Sequence, residues 1–248
     1  MPIYTNYTIS NSVFDTQINN IIVALNTFFK NDSYLVKNNL HEVSLSHRIA
    51  LYLDETFPNY NVDCEWNKNI NNTKSIFTET ILEMVKSIIR EWNQARNRTK
   101  FDDDLLMDLR GVEKLINFED NQNESLITDL SGDDFLIYPE KDEKGRRIIK
   151  NVRPDIVIHH RGTRDNVFVI EIKKKEAGGA KRYKSAKNFD LIKLYALTTQ
   201  PDLNYKAAFF IELPKPDFVW TQISVEKSKF IDLLFGVKAN KVFEITFK

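Results

Sequence analysis

Two β-branched runs, RPDIVIHH (residues 153–160) and NVFVIEIKK (166–174), stand either side of the short segment RGTRD. Apolar runs of this length bounded by turn residues form strands, and this spacing predicts an antiparallel hairpin. A third run, YKAAFFIEL (205–213), is continuously apolar and reads as a further strand. Between it and the hairpin, a basic stretch predicts a helix from about Ala180 to Thr199. DFVWTQIS then reads as an edge strand, Lys227 to Phe235 as a last helix, and KVFEITF as the final strand. Helices interleaved with hairpin-linked strands point to an α/β chain of α+β character built on one mixed sheet.

The N-terminal part is helical by periodicity. Val13, Phe14, Ile18, Ile21, Ile22, Leu25, Phe28 and Phe29 paint one face of a helix. After the polar break KNDS and the Asn38-Asn39 pair, Leu45, Ile49, Tyr52 and Leu53 mark a second helix over about Leu40 to Glu55, ending before Phe57-Pro58. NYNVDCEWN reads as a short strand. From Lys68 to Arg147 the chain changes character. Ile76, Ile81, Met84, Val85, Ile88 and Trp92 recur at helical spacing, and FDDDLLMDLRGVEKLINFED predicts another helix. The whole chain, 1–248, reads as a single domain carrying an acidic, mainly helical insertion over 68–147.

Composition narrows the class. One cysteine, Cys64, can form no internal disulfide, and no apolar run reaches the length of a membrane span. The N-terminus lacks the basic patch and apolar stretch of a secretory signal, so a reducing cytoplasm is expected. The 24 asparagines reflect coding bias and not function. Formal net charge is zero, from 35 basic and 35 acidic side chains. That neutrality is a cancellation of blocks. Thr99 to Glu143 holds 4 basic against 14 acidic residues, and Lys144 to Lys193 holds 15 basic against 5 acidic.

The basic block contains the residues suited to chemistry. Alternation along a strand places Glu171 and Lys173 on one face, and Asp155 with Val157 and His159 on one face of the preceding strand. A turn around Thr163-Arg164 sets Asp155 opposite Ile172 or Lys173, so two carboxylates and an amine converge at one end of the hairpin. Adjacent carboxylates resist joint ionisation unless a cation lies between them. Hard oxygen donors of this kind suit Mg²⁺ or Mn²⁺, which acidify bound water and neutralise charge on a phosphodiester. Lys173 beside them can hold or deprotonate a water, or act as a cation toward the transition state.

Pro154-Asp155 followed by Glu171-Ile172-Lys173 resembles the signature of the PD-(D/E)XK nuclease superfamily. The segment HRIALYLDETFPNYNVDCEWNK resembles one found in uncharacterised bacterial members. The resemblance covers about Leu40 to Lys68 and Val152 to Leu213. It implies a restriction-endonuclease-like αβββαβ core, Asp155 and Glu171 as metal ligands, and Lys173 as the catalytic lysine. It also implies a glutamate from the first core helix. Glu42 is the candidate, with Glu65 the competitor. The helix after the third strand contributes a polar residue in such proteins, a place for Lys187 or Lys193. The acidic stretch after Lys68 has no counterpart in the resemblance.

Other readings compete at several positions. A salt-bridged surface triad would explain Asp155, Glu171 and Lys173 without chemistry, but Glu171 interrupts an apolar run where an unpartnered carboxylate is costly. His41 and His47 read as ordinary helix residues, His159 and His160 as strand-end residues, and Cys64 as packed. Lys174, Lys175, Lys181, Arg182, Lys184, Lys187 and Lys193 form the expected nucleic-acid contact, since phosphate backbones are held by such clusters. The expectation is a Mg²⁺- or Mn²⁺-dependent nuclease of the cytoplasm acting on DNA, with no membrane partner. The alternative is a catalytically silent nuclease-fold binding or assembly module, whose acidic insertion contacts a partner protein or a second copy.

Overall fold

Helix α1 (Val13–Lys37) buries Ile18, Ile21, Ile22, Leu25, Phe28 and Phe29 along one face. At KNDS the helical backbone is interrupted at Asp32 (φ −127°), as the polar break predicts, and a further helical stretch runs on across the kink to Lys37. Asp32 is buried there, and its Oδ2 accepts from Arg48 Nε (2.5 Å) and from the Tyr52 hydroxyl (2.5 Å). The Arg48 and Tyr52 bonds hold the Asp32 carboxyl below its ordinary range, so a residue that looks like a break in sequence is a tie between two helices. Asn39, in left-handed backbone (φ 54°), follows the helix end.

Helix α2 (Glu42–Thr56) starts at His41, whose Nδ1 accepts the Val43 N–H, and places Leu45, Ile49, Tyr52 and Leu53 inward as the periodicity predicts. Strand β2 (Asn61–Cys64) follows after a turn through Pro58. The computed structural model describes the backbone of residues 4–5, 13–65, 68–69, 72–73, 75–77, 139–141, 147–150, 153–175, 180–236 and 241–248. Side chains are described over 15–65, 153–175, 187–236 and 241–248. The predicted helices between residues 78 and 138 lie outside the described residues. At their start, Ser75–Phe77 is a strand and not a helix.

In chain order the remaining elements are β3 (Lys68–Asn69), β4 (Asn72–Thr73), β5 (Ser75–Phe77), β6 (Pro139–Lys141), β7 (Arg147–Lys150), β8 (Ile156–His159), β9 (Asn166–Lys174), α3 (Ala180–Thr199), β10 (Ala207–Leu213), β11 (Gln222–Lys227), α4 (Lys229–Phe235) and β12 (Val242–Phe247). Six strands form a mixed sheet in the order β11-β12-β10-β9-β8-β2, with the two-residue β1 (Tyr4–Thr5) added beside β11. The β2/β8, β8/β9 and β11/β12 pairs are antiparallel, whereas β10 runs parallel to both β9 and β12. β3 pairs with β4, and β5-β7-β6 form a separate small sheet. Four helices are present among the described residues, giving a mixed α/β fold.

Two apolar layers hold the sheet. Ile156, Ile158, Ile170, Ile172, Phe209 and Ile245 pack against α1 and α2. On the other face Val157, Val169, Ala208, Phe210 and Val242 pack against α3 and α4. A parallel strand covered on both sides reads as an unbroken apolar run, which is why YKAAFFIEL shows no alternation. α4 begins at Ser228, whose hydroxyl accepts the Ile231 N–H. No described helix is long and apolar enough to cross a membrane.

Phe168 lies fully buried between Phe57 and Phe209, edge-on to both rings. Phe168→Ala should cost about 3–5 kcal/mol of stability, the range for emptying a core phenylalanine site. Urea unfolding followed by fluorescence reads this directly, and a loss under about 1 kcal/mol would contradict the layer assignment.

Candidate active site

The β8–β9 hairpin sets the site by its register. Ile156 pairs with Ile170 and Val157 with Val169, so continuation of the ladder brings Asp155 opposite Glu171. The sequence placed Asp155 one or two residues further along, opposite Ile172 or Lys173. The difference arises at the turn, which the His160–Asp165 bond centres on Gly162-Thr163 and not on Thr163-Arg164. A bulge next to His159, which pairs with Asn166 and leaves Val167 out of the ladder, restores one residue of the shift. Asp155 is nevertheless joined to the next residue, since its Oδ2 accepts the Ile172 N–H at 2.6 Å. Val169, Glu171 and Lys173 alternate onto the face that meets α3.

Glu42 reaches the same place from the first turn of α2. Its Oε1 accepts the Lys174 N–H (2.9 Å), and its Oε2 lies 3.4 Å from Lys173 Nζ. From α3 come two further charges. Lys193 Nζ stands 2.9 Å from Glu171 Oε1 and 3.0 Å from Asp190 Oδ1, and Lys173 Nζ is 3.8 Å from Asp190 Oδ2. Four carboxylates (Glu42, Asp155, Glu171, Asp190) and two ammonium groups (Lys173, Lys193) thus converge from α2, the β8–β9 hairpin and α3. Asp190 is absent from the sequence-derived set. Its signal was present as DLIKL, a charged pair at i and i+3 set among apolar helix residues.

Burial governs the electrostatics. It pushes the Asp155 carboxyl up to about 6, aided by the Asp190 charge and opposed by the Ile172 N–H, Lys193 and Lys173. Glu171, buried in β9, is held well above the ordinary carboxylate range by the same desolvation, then by Asp155 and Asp190, against the pull of Lys193. Burial disfavours both ammonium groups, yet Asp190 with Glu171 raises Lys193, and Asp190 with Glu42 raises Lys173. Both lysines are therefore held charged.

Glu171 Oε1 and both Asp190 oxygens are buried with no hydrogen bond. Lys193 and Lys173 approach these oxygens as ion pairs. Carboxyl groups thus outnumber ammonium groups four to two. That donor set fits a hard divalent cation, which binds through one or two carboxylates and keeps several waters. Asp155 and Glu171 are the residues that would hold it. Among the described residues no group of three His, Cys, Asp or Glu forms a metal cage.

The remaining expectations divide. Glu65 is exposed at the end of β2 in left-handed backbone (φ 48°), its N–H bonded to the Asp155 carbonyl. It therefore supports the hairpin through its main chain, whereas Glu42 is the glutamate that reaches Lys173 and Lys174. Cys64 is half-buried, and its thiol is pushed up to about 11, chiefly by burial and then by Asp155, so it is a poor nucleophile. His159 turns away from the site to Asp63 (2.8 Å), which Arg161 also engages. Of the lysines expected on a phosphate-binding surface, Lys175 is exposed beside Glu212, and Lys174 bonds Asn39 and Leu40. Lys187 is drawn onto Glu212 and Glu244, and Lys193 is in the site itself. The side chains of Lys181, Arg182 and Lys184 lie outside the described residues.

Asp155 carries a testable cost. Its carboxyl, raised to about 6 in the fold, titrates nearer 4 when unfolded, so native protein binds the extra proton between those values and folding weakens as pH rises through them. Asp155→Asn removes this cost and should stabilise metal-free protein by about 1–3 kcal/mol at pH 7. The advantage should shrink to near zero below about pH 4. Urea unfolding in a chelator at pH 7 and pH 4 checks it, and a destabilised Asn variant at pH 7 would refute the sign.

Comparison with protein-family models, with curated proteins and with solved structures gives no match to this chain.

Proposed function

We propose that this protein is a metal-dependent nuclease that hydrolyses phosphodiester bonds of nucleic acid, with DNA as the first substrate to test. The observation that carries the reading is the meeting of Asp155, Glu171 and Lys173 at one end of a hairpin, with Glu42 closing the group. The element order α2-β2-β8-β9-α3-β10 also runs as the αβββαβ core of PD-(D/E)XK nucleases runs, which supports the same reading.

Asp155 and Glu171 are the oxygen donors for Mg²⁺ or Mn²⁺, which when bound supplies Lewis-acid neutralisation of a phosphodiester's charge. Lys173, an ammonium held charged between Glu42 and Asp190, serves as a fixed cation toward the phosphoryl oxygens as charge builds on them. Glu42 has 29% of its side chain exposed and can accept a proton from the attacking water. The water oxygen forms the new bond to phosphorus, the ester P–O bond breaks, and the leaving oxygen takes a proton from solvent. Exposed Arg153 and Lys175 lie on the segments flanking the site and offer charge to a phosphate backbone, with exposed Arg164 at the far, turn end of the hairpin.

The experiment is cleavage of plasmid, linear duplex and single-stranded DNA with Mg²⁺ or Mn²⁺, using wild type, Asp155→Asn and Lys173→Ala. Wild type should cut, and each variant should lose about 100-fold or more in rate, as expected when a charge acting on the transition state is removed. Because Asp155→Asn is the variant expected to gain stability, its loss of activity would not be a folding defect. Unchanged cleavage in both variants would overturn the site. Protein that binds DNA yet gives no heat with Mn²⁺ in calorimetry would favour the catalytically silent binding module instead.

A further inference from the structure

We infer that Asp190 is a positioning residue of this site, fixing the ammonium groups of Lys173 and Lys193 from the α3 side; the inference rests on the nuclease reading of that site. Asp190 is completely buried, and its two oxygens divide between the lysines. Oδ1 is 3.0 Å from Lys193 Nζ, and Oδ2 is 3.8 Å from Lys173 Nζ. The lysines come from different elements, β9 and α3. Asp190 is therefore a carboxylate shared by the strand and the helix.

The surroundings argue against a role in holding the fold. Leu191, Ile192, Leu194 and Leu197 bury the helix against the sheet without help from charge. A buried ion pair is poor evidence of stabilisation, because apolar residues of similar volume often serve as well or better. Neither Asp190 oxygen is engaged in a directed hydrogen bond, so its contacts act through charge. What that charge does is geometric. Lys173 Nζ stands between Glu42 Oε2 on one side and Asp190 Oδ2 on the other. A flexible four-carbon stem loses much rotamer freedom only when its end is held, and two flanking carboxylates hold it. Lys193 is likewise shared between Asp190 and Glu171. Asp190 thus keeps Lys193 from resting on Glu171 alone, and keeps Lys173 from following Glu42 toward solvent.

The test compares full-length wild type with Asp190→Asn, a substitution close to isosteric. Lysines are acetylated briefly with an N-hydroxysuccinimide ester and read by mass spectrometry, with exposed Lys215 as internal reference. In wild type, Lys173 and Lys193 should react about tenfold or more slowly than Lys215, as partly buried, ion-paired amines do. In Asp190→Asn, Lys173 should react about fivefold faster than in wild type, and kcat for Mg²⁺-dependent cleavage should fall about 10-fold or more with KM nearly unchanged. A merely structural Asp190 would shift the unfolding midpoint and leave both the Lys173 labelling rate and kcat where they were. Unchanged labelling of Lys173 in the variant overturns the inference. If Asp190→Asn does not fold, wild type decides alone, and Lys173 or Lys193 reacting as fast as Lys215 overturns it. Wild type without cleavage activity would defeat the nuclease reading, while the labelling still judges the positioning.

Discussion

In the β8–β9 hairpin the His160 N–H bonds the Asp165 carbonyl across the turn. A ladder drawn straight from that pair would set Asp155 opposite Ile170, on the face covered by α1 and α2. The bulge changes this. Val167 and Phe168 both join the α1/α2 layer, and from Ile158 onward each residue of β8 faces a partner one position further along β9. Asp155 therefore shares a face with Val169 and Glu171 and not with Ile170. Because strand side chains alternate, a slip of one residue exchanges the two faces entirely. The charged groups of the site meet α3 because one residue of β9 has no partner in β8.

The strands of the hairpin and β10 were legible because their apolar runs are short and bounded, and the two faces of α2 because its period is clean, whereas DFVWTQIS becomes strand only from Gln222 and leaves Phe218 and Val219 exposed. The bulge was not legible, since Asn166 and Val167 carry no glycine or other mark of an extra residue. The break read at KNDS is there as a kink at Asp32, but what the kink does was not legible, for a related reason. Asp32 is polar in sequence, but its partners Arg48 and Tyr52 lie on another helix, and only their proximity makes a buried carboxylate acceptable. Asp190 escaped notice in the same way. Asp155, Glu171 and Lys173 stand out because strand alternation alone brings them together, whereas Asp190 needs the docking of α3 onto β9.

Charge shows a similar limit of one-dimensional reading. The excess of basic residues between Lys144 and Lys193 looked like a surface for phosphate. Part of it is inward. Lys193 has 11% of its side chain exposed and Lys187 has 20%, each between two carboxylates. These lysines offset acidic groups buried at the sheet, and such pairs respond little to salt. The exposed share of the basic block, including Arg153, Arg164 and Lys175, is what remains for a long polyanion. On the proposed nuclease reading, a modest surface charge beside a deeply charged centre suits a grip on phosphates close to the site better than indiscriminate binding along the surface.

The two ends of the hairpin differ in how their polar groups are satisfied. At the turn, Asn166 Nδ2 donates to the Leu203 carbonyl (2.6 Å), and the Thr163 hydroxyl both donates to His160 and accepts from Asp165. That end is built for stability. At the other end, three carboxylate oxygens of Glu171 and Asp190 are buried without a directed donor, and Asp155 is pushed toward neutrality. Native structures rarely tolerate such oxygens, and where they do, the exception needs a cause. The apolar layers around β9 and α3 are complete without these groups, so packing does not supply that cause. Under-satisfied acceptors from β9 and α3, collected at one point and edged by two ammonium groups, are what the proposed cation site would draw on.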